Sequence, residues 1–351
     1  MMKVIAMLVF CIALSSSTLA SDFKFAELDE TSVKPKFDFV KNYGNKNHPF
    51  TKMTTRFQYG DKYGEDDTFF ATYWSPGKQP MIQPEKINAL IFVSHAYAEY
   101  ISNDYDEIAR YWSQQVGGGA LVFGHDHAGH GRTKAGKRGL VTDIKDFTGP
   151  IIAHVKKIQK MTMRDGQILP TYIAAHSMGG LIALHTILEQ PELFEGFIGI
   201  SPLVIDLYAT PEQVFLAKWI AKFWPAFEVH PLIARMNVKL ITRDQTLWNP
   251  MDNDPLRYHG GIQMGIGWLA LRECKVLQEN LNQITLPILV LQGGSDKFVD
   301  PKGAKMFYQE SSSVDKEYKE YPGAYHQLLV EYPDVREDIK TRTTTWLNDR
   351  L

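Results

Sequence analysis

Short runs of consecutive apolar residues alternate along this chain with stretches whose apolar positions recur every three or four residues. Ala89-Leu-Ile-Phe-Val-Ser94, Ala120-Leu-Val-Phe123, Tyr172-Ile-Ala-Ala175, Phe197-Ile-Gly-Ile200 and Pro287-Ile-Leu-Val-Leu-Gln292 are almost free of polar residues and end in turn formers. Such runs have no polar face, which predicts strands covered on both sides of a sheet. Between them, Tyr105, Ile108, Tyr111 and Trp112 share one side of a helix, as do Phe147, Ile151, Val155 and Ile158. Pro150 within the second pattern predicts a kink or a later helix start, because proline brings no N–H to the ladder. Thr54 to Tyr59 and Thr68 to Trp74, separated by Gly60 and Gly64, predict a hairpin. Strand–helix alternation of this kind predicts an α/β fold, with a mostly parallel central sheet and helices on both faces.

The alternation breaks between about Pro202 and Gly261. Phe215, Trp219, Ile220, Phe223 and Trp224 recur there at helical spacing, with Lys218 and Lys222 interleaved. An insertion after a sheet strand predicts a helical cap over about 202–261. The aromatic stripe fits a helix packed on the core. It fits equally a surface touching a membrane transiently through Phe215, Trp219, Phe223 and Trp224.

The first 20 residues read differently. Lys3, the apolar run Val4 to Leu14 and the small residues around Ala20 predict a secretory signal peptide; the run is too short to span a bilayer, which takes about 20 apolar residues. Export to a secreted, periplasmic or lumenal location follows, ahead of a signal-anchored alternative. Residues 21–52 are polar and without periodicity, an N-terminal extension before a main domain over 53–351. Cleavage removes Cys11 and leaves Cys274 alone, so no internal disulfide can form and the core must hold the fold.

Across the 351 residues, 44% are apolar and 22% charged, enough apolar material for a large core, which excludes a disordered chain. The net charge of −2 offers no basic footprint for nucleic acid.

The chemistry lies at strand ends. Ala175-His176-Ser177-Met178-Gly179-Gly180 follows one predicted strand and opens a helical run from Leu181 to Leu188. That is the setting of a nucleophile turn, in which the serine is lifted clear of the sheet and small neighbours let strand and helix approach. Ala175 stands where glycine is usual, and it is the smallest replacement. A serine needs a base, and the base needs an orienting carboxylate. Asp296 follows the last long apolar strand, with Asp300 as a nearby rival. His326 follows the β-like stretch Lys316 to Tyr321, so Ser177, Asp296 and His326 occur in the chain order this arrangement requires. Charge developing on the attacked oxygen needs backbone N–H donors, for which Met178 and Tyr97 are placed.

His125, His127 and His130 with Asp126 crowd the loop after one strand. No second ligand group stands at a metal-binding spacing, which favours a glycine-assisted turn bordering the site over a metal. His176 points away from Ser177 along the chain and is read as orienting the turn.

On these residues the chain resembles the monoglyceride lipase branch of the α/β-hydrolases, over roughly Phe69 to Leu351. The resemblance rests on Phe92-Val-Ser-His95, Leu121 to Gly131, His176-Ser-Met-Gly-Gly180, Ile200-Ser-Pro-Leu203, Asn253-Asp-Pro-Leu256, Leu291-Gln-Gly293 with Asp296, and Gly323-Ala-Tyr-His326. It implies Ser177, Asp296 and His326 as catalytic triad, Tyr97 and Met178 as oxyanion donors, and an apolar cap over an acyl tunnel. It also implies hydrolysis of monoacylglycerols without a cofactor. Three features depart from the pattern: His95-Ala96-Tyr97 replaces His-Gly and a small residue, Glu99 to Tyr105 is one residue longer, and the signal peptide is additional. If the missing glycine requires positive φ, Ala96 strains or reshapes the loop. The expected function is therefore a serine ester hydrolase acting on monoacylglycerol or a similar single-chain lipid. A lysophospholipase or broad carboxylesterase shares the chemistry, and a non-catalytic lipid-binding protein is the alternative of another class.

Overall fold

A computed structural model describes residues 37–38, 50–59, 68–76, 84–102, 104–205, 211–229 and 237–351. The expected signal peptide lies outside the described residues. The strands are β1 (Phe37–Asp38), β2 (Phe50–Phe57), β3 (Phe69–Pro76), β4 (Ala89–Ser94), β5 (Ala120–His125), β6 (Thr171–His176), β7 (Gly196–Ile200), β8 (Ile288–Gly293) and β9 (Lys316–Tyr321). They form one sheet in the order β1-β2-β3-β5-β4-β6-β7-β8-β9. The first three strands join antiparallel, β3 pairing with β5; every pair from β5 through β4 to β9 is parallel. The predicted hairpin is β2–β3. The sheet begins inside the segment read as an extension, because β2 starts at Phe50 and Phe37–Asp38 pair with its far end.

The helices of ten residues or more among the described residues are α1 (Asp106–Gln115), α2 (Lys145–Thr162), α3 (Met178–Glu189), α4 (Pro211–Phe223), α5 (Met264–Gln278), α6 (Pro301–Glu310) and α7 (Pro333–Asn348). The pleat of the central strands divides their side chains between two cores. Leu90, Phe92, Leu121, Phe123 and Ile173 pack with Phe147, Ile151, Val155 and Ile158 of α2 and with Leu181 and Ile182 of α3. The alternate residues Ile91, Val93, Val122, Tyr172 and Ala174 pack with Ile108 and Trp112 of α1 and with Ile339 and Trp346 of α7. Both faces are thus covered, as the unbroken apolar runs require, and every residue of β4 to β8 is buried. At the edge, β9 alternates Lys, Glu and Tyr and buries only Tyr321, a charged rim that discourages pairing with another sheet. Pro150 neither delays nor ends α2, which starts at Lys145 and runs through the ring to Thr162.

The segment after the nucleophile-bearing half of the sheet holds α4, single-turn helices at Val238–Ile241 and Trp248–Asp252, and then α5. Its base is tied to the loop after β4. Tyr258 N–H donates to the Ala98 carbonyl (3.1 Å), and Tyr100 O–H donates to Asp254 Oδ2 (2.7 Å). Arg257 Nη2 pairs with Asp104 Oδ2, with both side chains 4% exposed. Burial raises the Asp104 carboxyl to about 6, against the opposing pull of the Arg257 guanidinium. A group whose native pKa lies above its unfolded value stabilises the fold below the unfolded pKa and loses that contribution as pH rises through the native one. Arg257→Ala, which strands Asp104, is accordingly expected to cost about 3–5 kcal/mol at pH 7 and distinctly less at pH 5, where the lone carboxyl takes up a proton. Urea unfolding at the two pH values measures the difference; an equal loss at both refutes it.

Candidate active site

Strand β6 ends at His176 and α3 begins at Met178, so the chain turns within one residue, Ser177. It turns at φ 52° and ψ −120°, a conformation that costs a non-glycine residue about 1–3 kcal/mol and persists only where its surroundings enforce it. Here the surroundings do so. Ser177 N–H donates to the Ile200 carbonyl (3.1 Å), and the Ser177 carbonyl accepts from Gly180 (2.8 Å) and Leu203 (2.9 Å). The first turn of α3 lies so close to β4 that a Cβ on Gly179 would stand 2.2 Å from the Ser94 carbonyl oxygen. Gly180 meets Pro202 in the same way, 2.7 Å from its Cβ. Ala175 needs no such relief: it lies within β6, paired with Ser94.

The turn aims Ser177 Oγ at His326 Nε2, 2.8 Å away, and His326 Nδ1 lies 2.7 Å from Asp296 Oδ2. All three residues are buried, Ser177 at 7% exposure being the least so. Asp296 is fixed on every side. Its Oδ1 accepts from Phe298 N–H (2.8 Å) and Val299 N–H (3.1 Å), and its Oδ2 accepts also from Gln292 Nε2 (3.1 Å). Burial alone would raise this carboxyl. Its contacts with His326 and the two backbone donors outweigh burial and hold it below the usual carboxylate range. An ionised carboxylate only accepts hydrogen bonds, so the proton shared with it is on Nδ1 and the lone pair of Nε2 faces the serine hydroxyl. The arrangement can draw a proton from Oγ as Oγ attacks a carbonyl. Asp300, the rival acid, instead caps α6 by accepting from Lys302 N–H (3.0 Å).

Met178 N–H belongs to the first residue of α3, where no carbonyl of the same helix can reach it. Tyr97 lies in the loop after β4, with its ring turned away among His130 and Tyr258 and its hydroxyl 3.5 Å from the Gly139 carbonyl. Positive φ in this loop falls at Ala98 (65°) and not at Ala96, so the alanine in place of the family's glycine carries no left-handed strain.

The histidine-rich loop is a packed turn. Asp126 accepts from Ile101 N–H (2.9 Å) and Arg132 N–H (2.7 Å), while Gly129 and Gly131 take φ of 72° and 52°. His127 Nε2 meets Ser94 Oγ at 3.0 Å, and His130 Nδ1 meets the Ala128 carbonyl at 2.8 Å. Burial lowers the pKa of both rings, well below the ordinary value for His127 and to about 4 for His130. Among the described residues, no group of three His, Cys, Asp or Glu side chains is placed to hold a metal ion. Sequence reasoning missed Gln292 and Glu99. Gln292 was visible as a polar side chain ending an apolar run; nothing in the sequence marks Glu99 as buried.

A Ser–His–Asp chain of hydrogen bonds at the carboxyl ends of a mostly parallel, doubly covered sheet defines a serine hydrolase of the α/β-hydrolase class. Known proteins similar to the chain sharpen that class. Residues 85–333 match the family described as serine aminopeptidase, S33. The monoglyceride lipase of Rattus norvegicus is 34% identical over 283 residues, covering 80% of this chain and 87% of that one; that of Homo sapiens is 35% identical over the same shares. A crystal structure of a soluble variant of monoglyceride lipase from Saccharomyces cerevisiae, in complex with a substrate analog, superposes with a TM-score of 0.66 at 23% identity. It covers 82% of this chain and 94% of that one, and shows the shared fold. The chain belongs to the monoglyceride lipase-like α/β-hydrolases.

Proposed function

We propose that the protein hydrolyses monoacylglycerols to glycerol and fatty acid, with Ser177 as nucleophile, His326 as general base and acid, and Asp296 holding the imidazole. Ser177 Oγ attacks the ester carbonyl while its proton passes to His326 Nε2, and Tyr97 and Met178 N–H stabilise the oxyanion. Collapse expels glycerol, protonated by His326, and leaves an acyl-enzyme on Ser177. Water, deprotonated by His326, then attacks that ester, and fatty acid leaves with the serine restored.

The observation that carries this reading is the continuous chain Ser177 Oγ–His326 Nε2 and Nδ1–Asp296 at 2.8 and 2.7 Å. Monoglyceride lipase relatives spanning most of the chain favour monoacylglycerol over other esters. A complete, hydrogen-bonded triad is also what a lipid carrier would not need. Incubation with a fluorophosphonate and, separately, with a monoacylglycerol, a lysophospholipid and a short-chain ester tests it. Covalent labelling of Ser177 and fastest turnover of the monoacylglycerol are expected; an unlabelled protein that releases no fatty acid overturns it. Residues 1–20 are proposed to be removed on export, which the mass of the exported protein's N-terminus checks.

We further propose that α4 meets the lipid surface. Phe215, Leu216 and Phe223 of α4, with Trp224 and Phe227 just after it, are each more than half exposed, beside exposed Lys218 and Lys222, whereas Trp219 of the expected stripe is half-buried. Burying an aromatic side chain of this size is worth about 1.5–3 kcal/mol. Phe223→Ser with Trp224→Ser is therefore expected to weaken co-sedimentation with phosphatidylglycerol vesicles by more than about tenfold. Hydrolysis of a water-soluble short-chain ester should stay unchanged, and vesicle binding equal to wild type refutes the surface.

A further inference from the structure

Glu99 is a carboxylate that the reaction just described does not use, yet it lies 2% exposed behind the reacting groups. A buried charge is costly unless it is paired and hydrogen-bonded, and this one is surrounded by donors. Tyr105 O–H donates to Oε2 (2.6 Å), and Ala96 N–H reaches the same oxygen (3.3 Å). Gln327 Nε2 donates to Oε1 (3.1 Å), and His176 Nδ1 stands 3.3 Å from Oε2. Gln327 Nε2 also lies 3.0 Å from His176 Nδ1, and Tyr105 O–H 3.2 Å from Ala96 N. Burial would raise this carboxyl, but His176, the Arg257 guanidinium and the Tyr105 hydroxyl hold it below the usual range.

Three of the four groups around the carboxylate, all but Tyr105, share a place in the chain. Ala96 precedes Tyr97 in the loop after β4, His176 precedes Ser177, and Gln327 follows His326. Each is one residue from a group the reaction uses. The same loop rests on the nucleophile turn at Gly179, where the Ser94 and His95 carbonyls leave no room for a side chain. The His176 and His326 rings stand 4.7 Å apart, centroid to centroid. One carboxylate therefore ties together the three backbone segments whose relative placement sets the oxyanion site, the nucleophile and the base.

We propose that Glu99 is a positioning residue for ester hydrolysis, its carboxylate fixing the Tyr97 donor and the His326 base against Ser177. The inference rests on the proposed acyl transfer at Ser177. Misplacing a reacting group by about 1 Å can cost about a hundredfold in rate, and loss of one oxyanion donor costs about as much or more. Glu99→Gln keeps the size of the side chain but turns an NH2 toward donors. It is expected to lower kcat on a monoacylglycerol by about tenfold to a hundredfold, with KM within about threefold of wild type. Affinity for a trifluoromethyl ketone should fall in step with kcat. In that adduct Ser177 Oγ bonds to the ketone carbon, its proton moves to His326 Nε2, and the former carbonyl oxygen becomes an oxyanion, so its stability reads the site directly.

Tyr105→Phe and Gln327→Met each remove one donor and are expected to show the same pattern more weakly, which keeps the test open if Glu99→Gln does not fold. Wild-type kcat and ketone affinity in the folded variants overturn the proposal. So does a drop in melting temperature alone, with unchanged kcat per folded molecule, since that marks a merely structural role. A wild-type protein inactive on every ester would instead overturn the hydrolase reading.

Discussion

Ser177→Ala and His326→Ala are each expected to lower kcat on a monoacylglycerol by about a millionfold, and the double variant to be no slower than either alone. The reason is in the geometry. Oγ gains nucleophilic strength only by passing its proton to Nε2 at 2.8 Å, and Nε2 has no other proton to take at the start of the reaction. Removing either partner removes the same event, so the losses do not add. Both variants should fold. Alanine at 177 keeps the left-handed φ already enforced by the Ile200, Gly180 and Leu203 contacts, all of which use backbone atoms. A residual rate above that in water is expected, because the proposed oxyanion donors, the Tyr97 and Met178 N–H groups, belong to the backbone and survive. Single-turnover assays with circular dichroism on each variant decide the matter. A Ser177→Ala protein retaining more than about a hundredth of wild-type kcat would place the chemistry elsewhere.

Why the triad could be read from the sequence while its support could not follows from where each kind of information is stored. Ser177 and Asp296 follow apolar runs, and a run of residues buried on both faces must be a central strand; His326 follows the polar, β-like stretch that forms the edge strand β9. Strand ends at the carboxyl edge of a parallel sheet converge, so chain order alone brings the three together. The two cores were equally legible, since alternate residues of β4, β5 and β6 go to opposite faces by the pleat alone.

Glu99, Tyr105 and Gln327 come from loops and from the residue before a helix. Their meeting depends on loop geometry, above all the left-handed Ala98, that no periodicity announces. Polar residues there look like surface residues until the structure shows them buried. Pro150 fails to delay the start of α2 for a related reason. Its ring disfavours a helix locally, but Phe147, Ile151, Val155 and Ile158 bury one whole face of α2 against the sheet. At about 1.5–3 kcal/mol for each fully buried side chain, that packing exceeds the cost of about 3 kcal/mol for an interior proline.

Asp296→Asn is the variant in which shape is nearly conserved and chemistry is not, and it is expected to lower kcat by about ten thousandfold. The wild-type carboxylate receives four hydrogen bonds, two on each oxygen. On Oδ1 both donors are backbone N–H groups, of Phe298 and Val299, which cannot rotate away. An asparagine must therefore keep its oxygen there, because an NH2 in that place would face two fixed donors. Its NH2 then occupies the Oδ2 position, 2.7 Å from His326 Nδ1 and 3.1 Å from Gln292 Nε2. Gln292 can flip to present its carbonyl, but the imidazole can answer an N–H donor only by giving up its proton from Nδ1. The proton moves to Nε2, where it points at Ser177 Oγ and blocks the transfer that activates it. Melting temperature should fall far less than activity, because packing is retained. In the crystal the ring should stay within hydrogen-bonding distance of both neighbours, and the ring-nitrogen NMR signals should show Nε2 protonated at neutral pH. A variant with wild-type kcat, or one whose proton remains on Nδ1, would mean that Asp296 does not select the tautomer of the base.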